Sequence, residues 1–154
     1  MKYDALIEQY LAGPDVLRQA VAGMTKEHLV AKPIPGKRST QDVVCNMADY
    51  DSIYADHMKR VIALDEPELL KGESGPFAAR LAYDHREVEE ELALIDLIRK
   101  QMARILRSLQ PEDFQRRGVH TRYGIVTLEN LLKRVTAHLS LHVALINEMK
   151  RAMG

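Results

Sequence analysis

The sequence predicts an all-α fold, a four-helix bundle in which a long crossover leaves the second and third helices parallel. Three observations predict it. Four long stretches carry apolar residues at intervals of three and four, the period of one helix face. Proline, glycine and capping residues separate these stretches sharply. The connection after the second stretch, Asp65 to Tyr83, has about 19 residues and spans a bundle lengthwise at up to ~3.3 Å per residue. Residues 1–154 read as one domain, with 46% apolar residues to fill a single core.

The first helix is expected from Lys2 to Gly23, with Leu6, Tyr10, Leu17, Val21 and Met24 on one stripe. Gly13-Pro14 interrupts it and predicts a kink or a restart. Thr25 to Leu29 suits one extra turn, and the two prolines and glycine of Lys32 to Arg38 make a loop. Ser39 with Asp42 signals the start of the second helix, Thr40 to Leu64. Its inward face reads Val43, Asn46, Met47, Tyr50, Ile53, Tyr54, His57 and Val61. Asp84 and Glu87 have capping-box spacing and open a third helix through Leu109, stopped by Pro111. Thr127 caps the fourth helix, which runs to Ala152.

Composition excludes several function classes. Lys plus Arg and Asp plus Glu both number 22, and no basic stripe with interleaved aromatics marks a nucleic-acid surface. No apolar run is long enough to span a bilayer, and MKYDALIEQYL lacks the layout of a signal peptide. Cys45 is the only cysteine, so an internal disulfide is excluded and a cytoplasmic location is expected. In an apolar helix it reads as a small hydrophobe. There is no phosphate-binding glycine loop. His138-Leu139-Ser140-Leu141-His142 lacks the glutamate of a metalloprotease helix, and the absence of Glu-x-x-His argues against a di-iron bundle.

The pair His138 and His142 is the main candidate for chemistry. Positions i and i+4 share a helix face about 6 Å apart, so both rings can reach one metal ion. The alternative is two core histidines satisfied by neighbouring helices. An antiparallel second helix sets Asn46 level with His142, so Asn46, His138 and His142 are expected to converge. His57 and His120 belong to the opposite end, where they could approach each other but read first as a polar bundle end. His28 lies in the loop nearer the pocket and could border it, and His85 is expected to be exposed. Arg116, Arg117 and Arg122 suit either an anionic partner or plain solvation.

LIEQYLAGPDVLRQAVAGMTKEHLVAKPIPGKRST, QDVVCNMADYDSIYADHMKRVIALDEPEL, PEDFQRRGVHTRYGIVTLENLL and AHLSLHVALI together resemble the DinB-like family of bacterial four-helix bundles. That superfamily includes thiol-dependent S-transferases. The resemblance implies a divalent metal, zinc or nickel, held by a helix-two histidine and the HxxxH pair. The pair falls on His138 and His142, and the helix-two position, commonly HLAD, is Asn46-Met47-Ala48-Asp49 here. Arg38 stands where a tryptophan is usual. An amide oxygen is a weaker, harder ligand than imidazole for zinc or nickel, so the implied site is an altered one. Its expected activity is that of a metal-dependent transferase, or alternatively metal-free ligand binding or an interaction role. The resemblance also implies a homodimer.

Overall fold

The computed structural model describes residues 1–154. Six helices and three short strands follow one another: α1 Asp4–Val21, α2 Lys26–Val30, α3 Thr40–Ala63, β1 Glu68–Leu69, α4 Ser74–Arg80, α5 Val88–Arg107, β2 Arg117–His120, β3 Gly124–Thr127 and α6 Leu128–Met153. The long helices α1, α3, α5 and α6 form the bundle. Local chemistry fixes where they begin. Ser39 and Asp42 form a reciprocal capping box at α3, and Thr127 and Asn130 do the same at α6, each satisfying two otherwise orphaned backbone donors. Thr25 caps the short α2 together with the His28 ring.

The core consists of two apolar layers, and their membership sets the helix directions. One joins Tyr3 at the N-cap of α1 and Ile7 and Tyr10 within it to Met58 and Val61 of α3, Met102 and Leu106 of α5, and Leu128 to Val135 of α6. The other joins Leu17 and Val21 to Val43 and Met47, Leu92 and Ile95, and Val143 and Met149. The starts of α3 and α5 therefore share a layer, as do their ends. They run parallel, and α1 and α6 run antiparallel to both.

Between the layers lies a buried ion pair that the apolar stripes did not announce. Arg99, 1% exposed, donates from Nε and Nη2 to the Asp51 carboxylate at 2.6 and 2.9 Å. Its Nη1 donates to the Tyr10 carbonyl at 2.8 Å, and Nη2 also reaches the Val135 carbonyl at 3.3 Å. One guanidinium thus ties all four long helices. Pro14 explains the Tyr10 bond. Lacking an N–H, proline cannot donate to the carbonyl four residues back, so that of Tyr10 is free to accept from arginine. Gly13 supplies the space, because a Cβ there would lie 2.6 Å from Arg99 Nη1.

Several expectations are corrected. Gly13-Pro14 does not divide α1, which is continuous with Pro14 inside it, since Arg99 satisfies the freed carbonyl. Asp84 and Glu87 form no capping box. Residues Tyr83–His85 make a separate 3-10 turn, and α5 begins at Val88 without a side-chain cap. The crossover is not a plain connection, for it contains β1 and α4. On α3 the buried stripe is turned by one residue: Asp51, Ala55 and Met58 face inward, while Tyr50, Ile53 and Tyr54 are half-buried.

The small sheet, in order β1-β2-β3, closes the far end of the bundle. β1 pairs parallel with β2, and β2 antiparallel with β3. Gly124, at φ +73°, takes the left-handed conformation needed to close the three-residue hairpin turn. No helix is long and apolar enough to cross a membrane.

Candidate metal and ligand cleft

His138 and His142 project from α6 at the edge of its buried stripe, which runs through Val135, Leu139 and Val143. Both are half-buried, so they flank the core rather than replace aliphatic residues within it. Their ring centroids lie 4.2 Å apart. The Tyr50 ring of α3 covers His138 at 5.1 Å. Gly72 in the crossover makes room for Tyr50, since a Cβ there would lie 2.8 Å from Tyr50 Cζ.

Hydrogen bonding decides which nitrogens are available. His142 Nδ1 lies 2.8 Å from the His138 carbonyl. A carbonyl only accepts, so Nδ1 carries the proton and Nε2 keeps its lone pair. His138 Nδ1 is buried without a partner. Burial, and then the neighbouring His142 and Arg99, pushes the His138 pKa down to about 3. Burial also lowers that of His142, with Arg38 adding to the effect. Both rings are neutral near pH 7.

Asn46 and His142 line one cleft of about 290 Å³ with Lys37, Arg38, Ser74 and Leu145. Of the three positions singled out in the sequence, Asn46 and His142 line the cleft together, and His138 lies beside His142 with its ring tilted against it, outside the cleft lining. Asn46 is buried, 5% exposed, beside the Tyr83 hydroxyl. The sequence reading missed Lys37 and Arg38, which enter from the loop before α3, and Ser74, which α4 delivers. A cationic pair directly ahead of a helix cap was the available signal.

The acids near Asn46 are committed elsewhere. Asp42 caps α3. Asp49 accepts from Arg86 and, at 2.8 Å, from the Tyr83 hydroxyl. Cys45 is buried, with its thiol pushed up to about 12, chiefly by burial, and is inert as a nucleophile. His28 lies on the α2 cap and not at the cleft; His85 is exposed. A larger cleft, about 530 Å³, lies between α1, α2 and the start of α5. Its arginines are paired, Arg18 with Glu89 and Arg86 with Asp49 and Glu91, and its only imidazole is His85.

At the opposite end His57 and His120 meet edge to face, 5.4 Å between centroids. The basic group beside them is largely used internally. Arg116 donates to the Val61 and Leu64 carbonyls at the end of α3, and Arg117 pairs with Glu66. Arg122 lies over Tyr123.

The fit to a metal can be judged from the donors. No group of three His, Cys, Asp or Glu side chains is placed to hold an ion. Two neutral imidazoles and an amide bring no negative charge, and Lys37 and Arg38 add positive charge beside them. Such a set does not fit a tightly held divalent ion, which needs charged or additional nitrogen ligands.

The comparisons with known proteins follow the same fold. No curated protein matches the chain. A solved structure, YfiT from Bacillus subtilis, described as a probable metal-dependent hydrolase with an unusual four-helix bundle topology, matches with a TM-score of 0.92. The two are 26% identical, and the match covers 98% of this chain and 87% of that one. The DinB superfamily model matches residues 9–146. With its four long helices, its parallel α3 and α5 and its histidine pair on α6, the chain belongs to the DinB superfamily.

Proposed function

We propose that this protein is a divergent DinB-type bundle acting on a small molecule at an altered metal site, the cleft lined by Asn46 and His142 with His138 beside it. The observation that carries this reading is the hydrogen bond from His142 Nδ1 to the His138 carbonyl. It leaves a neutral imidazole with its Nε2 lone pair free in a cleft whose third metal-ligand position is an amide. A divalent ion, zinc or nickel, would find only two neutral imidazoles and the Asn46 amide here, a set suited to weak binding. Binding and orienting the ligand falls to the side chains themselves, with His142 Nε2 as the available proton acceptor.

A second reading, metal-dependent transfer or hydrolysis, is favoured by the description of YfiT. It requires a site that gains affinity when the ligand set is completed. Calorimetric titration with zinc and nickel separates the two. Wild type should bind weakly, and Asn46→His should raise affinity at least about a hundredfold, ~3 kcal/mol. His142→Ala in that background should remove the gain. Equal affinity in all three proteins would detach Asn46 from any ligand set, and tight wild-type binding would favour the second reading. Assembly as a homodimer belongs to the same proposal, and sedimentation of these preparations at the monomer mass of 17.5 kDa would count against it.

A further inference from the structure

We infer that the cleft takes a small organic oxyanion carrying an adjacent hydroxyl, the oxyanion on Arg38 and Lys37 and the hydroxyl on His142 Nε2. This deepens the reading of the cleft as the working site and names its ligand class.

Charge is the first argument. The lining side chains include two cations and no carboxylate. Neither cation has an acidic partner, and the Arg38 guanidinium makes a single hydrogen bond, to the Ser74 carbonyl at 3.3 Å. Its remaining donors are unspent in a protein whose net charge is zero. A planar guanidinium with free N–H groups is suited to a carboxylate or another oxyanion.

Backbone geometry is the second. Ile34-Pro35-Gly36-Lys37 has the layout of a type II turn: proline second, glycine third at φ +77°, and Lys37 N–H donating to the Ile34 carbonyl at 3.1 Å. The turn runs straight into the Ser39 cap of α3. The two cations are thus carried on a stretch braced at both ends, which reduces the ordering cost of binding.

The third argument concerns the proton. His142 Nδ1 is bonded to its own helix, so Nε2 offers a lone pair and cannot donate to an anion while the ring is neutral. A bare anion would leave this acceptor unused; a ligand with an O–H beside its oxyanion meets both demands. The Asn46 amide, donor and acceptor at once, adds a further contact. A cleft of about 290 Å³ lies at the small end of ligand sites, which selects a metabolite-sized molecule.

The test uses the full-length protein, stripped of metal and kept in chelator, titrated with lactate, propionate, lactamide and inorganic phosphate. Calorimetry gives affinity, and NMR shifts of the Arg38, Asn46 and His142 side chains give location. Lactate should bind and move all three. Propionate, without the hydroxyl, and lactamide, without the charge, should each bind at least about tenfold more weakly. Arg38→Gln and Lys37→Gln should each weaken lactate by a similar factor, and Arg38→Lys should retain part of its affinity. Lys133→Gln, on the exposed face of α6, should change nothing.

Lactamide binding as tightly as lactate, or the Gln variants binding like wild type, would overturn the inference. Phosphate as the only anion bound would overturn the organic class, and equal binding of propionate would overturn the hydroxyl contact to His142. Because no metal is present, a failure here leaves the Asn46→His titration intact. Failure of that titration likewise leaves the anion result standing.

Discussion

Two histidine pairs stand at opposite ends of the face between α3 and α6, and they use their nitrogens in opposite ways. In His138–His142 both rings come from one helix, and one Nδ1–H is bonded within that helix, leaving Nε2 for the cleft. In His57–His120 the rings come from α3 and β2, and each is tied to loop backbone. His57 Nε2 donates to the Leu70 carbonyl at 2.8 Å, and its Nδ1 is sealed off from solvent. His120 Nδ1 accepts from the Arg122 and Tyr123 N–H groups at 3.0 and 3.2 Å. The second pair thus staples the crossover and the hairpin to the bundle. Residue type does not separate the two arrangements: at the cleft an Nε2 lone pair is left over, whereas in the second pair the one unused lone pair, on His57 Nδ1, is sealed from solvent.

The change expected to disturb both pairs most strongly lies between them. Asp51→Ala strands the buried Arg99 without its carboxylate, and should cost about 3–5 kcal/mol, read as a lower midpoint in urea unfolding. A loss below about 1 kcal/mol would mean that the guanidinium escapes to solvent and does not join the layers.

The contrast between the pairs predicts unequal stability effects. His57→Ala removes a 3%-exposed ring and its bond to Leu70, and should destabilise by about 2–3 kcal/mol. His142→Ala, at the open cleft, should cost at most about 1 kcal/mol. Equal losses would erase the distinction.

A smaller effect comes from acid. All four rings have pKa values lowered chiefly by burial, so below about pH 6.5 the unfolded chain binds more protons than the native one. Their contribution is complete above that pH and is lost as pH falls towards each native value, about 3 for His138. Between about pH 6.5 and 4.5, His138→Gln should reduce the decline in stability by about 1–2 kcal/mol. An unchanged slope would place the His138 proton uptake elsewhere.

Much of the fold was legible because it rests on local rules. Ser39 with Asp42, and Thr127, announced α3 and α6 through backbone donors that only a cap satisfies. The length of Asp65 to Tyr83 announced the parallel pair. What escaped depends on distant partners. Arg99 reads as a solvated helix residue until Pro14, far away in the chain, is seen to free the carbonyl it binds. The strands around Val119 and Ile125 are too short for an alternating pattern to stand out, and they form because His120 and Gly124 close the hairpin turn. At the cleft, the nearness of Asn46 and His142 was readable from helix spacing and from the resemblance. Lys37, Arg38 and Ser74 were not, because a type II turn and a short crossover helix bring them there.

The Arg99 contacts also settle a question that apolar stripes leave open. Leucine and valine side chains pack nearly as well after a slide of one helical turn, about 5.4 Å, so stripes alone admit several alignments of four helices. The guanidinium admits one. Only at Tyr10 is a carbonyl released by proline, only at Gly13 is there space beside it, and only Asp51 supplies the charge. Arg99 therefore works as a vernier for the whole bundle. The depth at which α3 meets α6, and with it the span from Asn46 to His142, is set by a side chain that never touches the cleft.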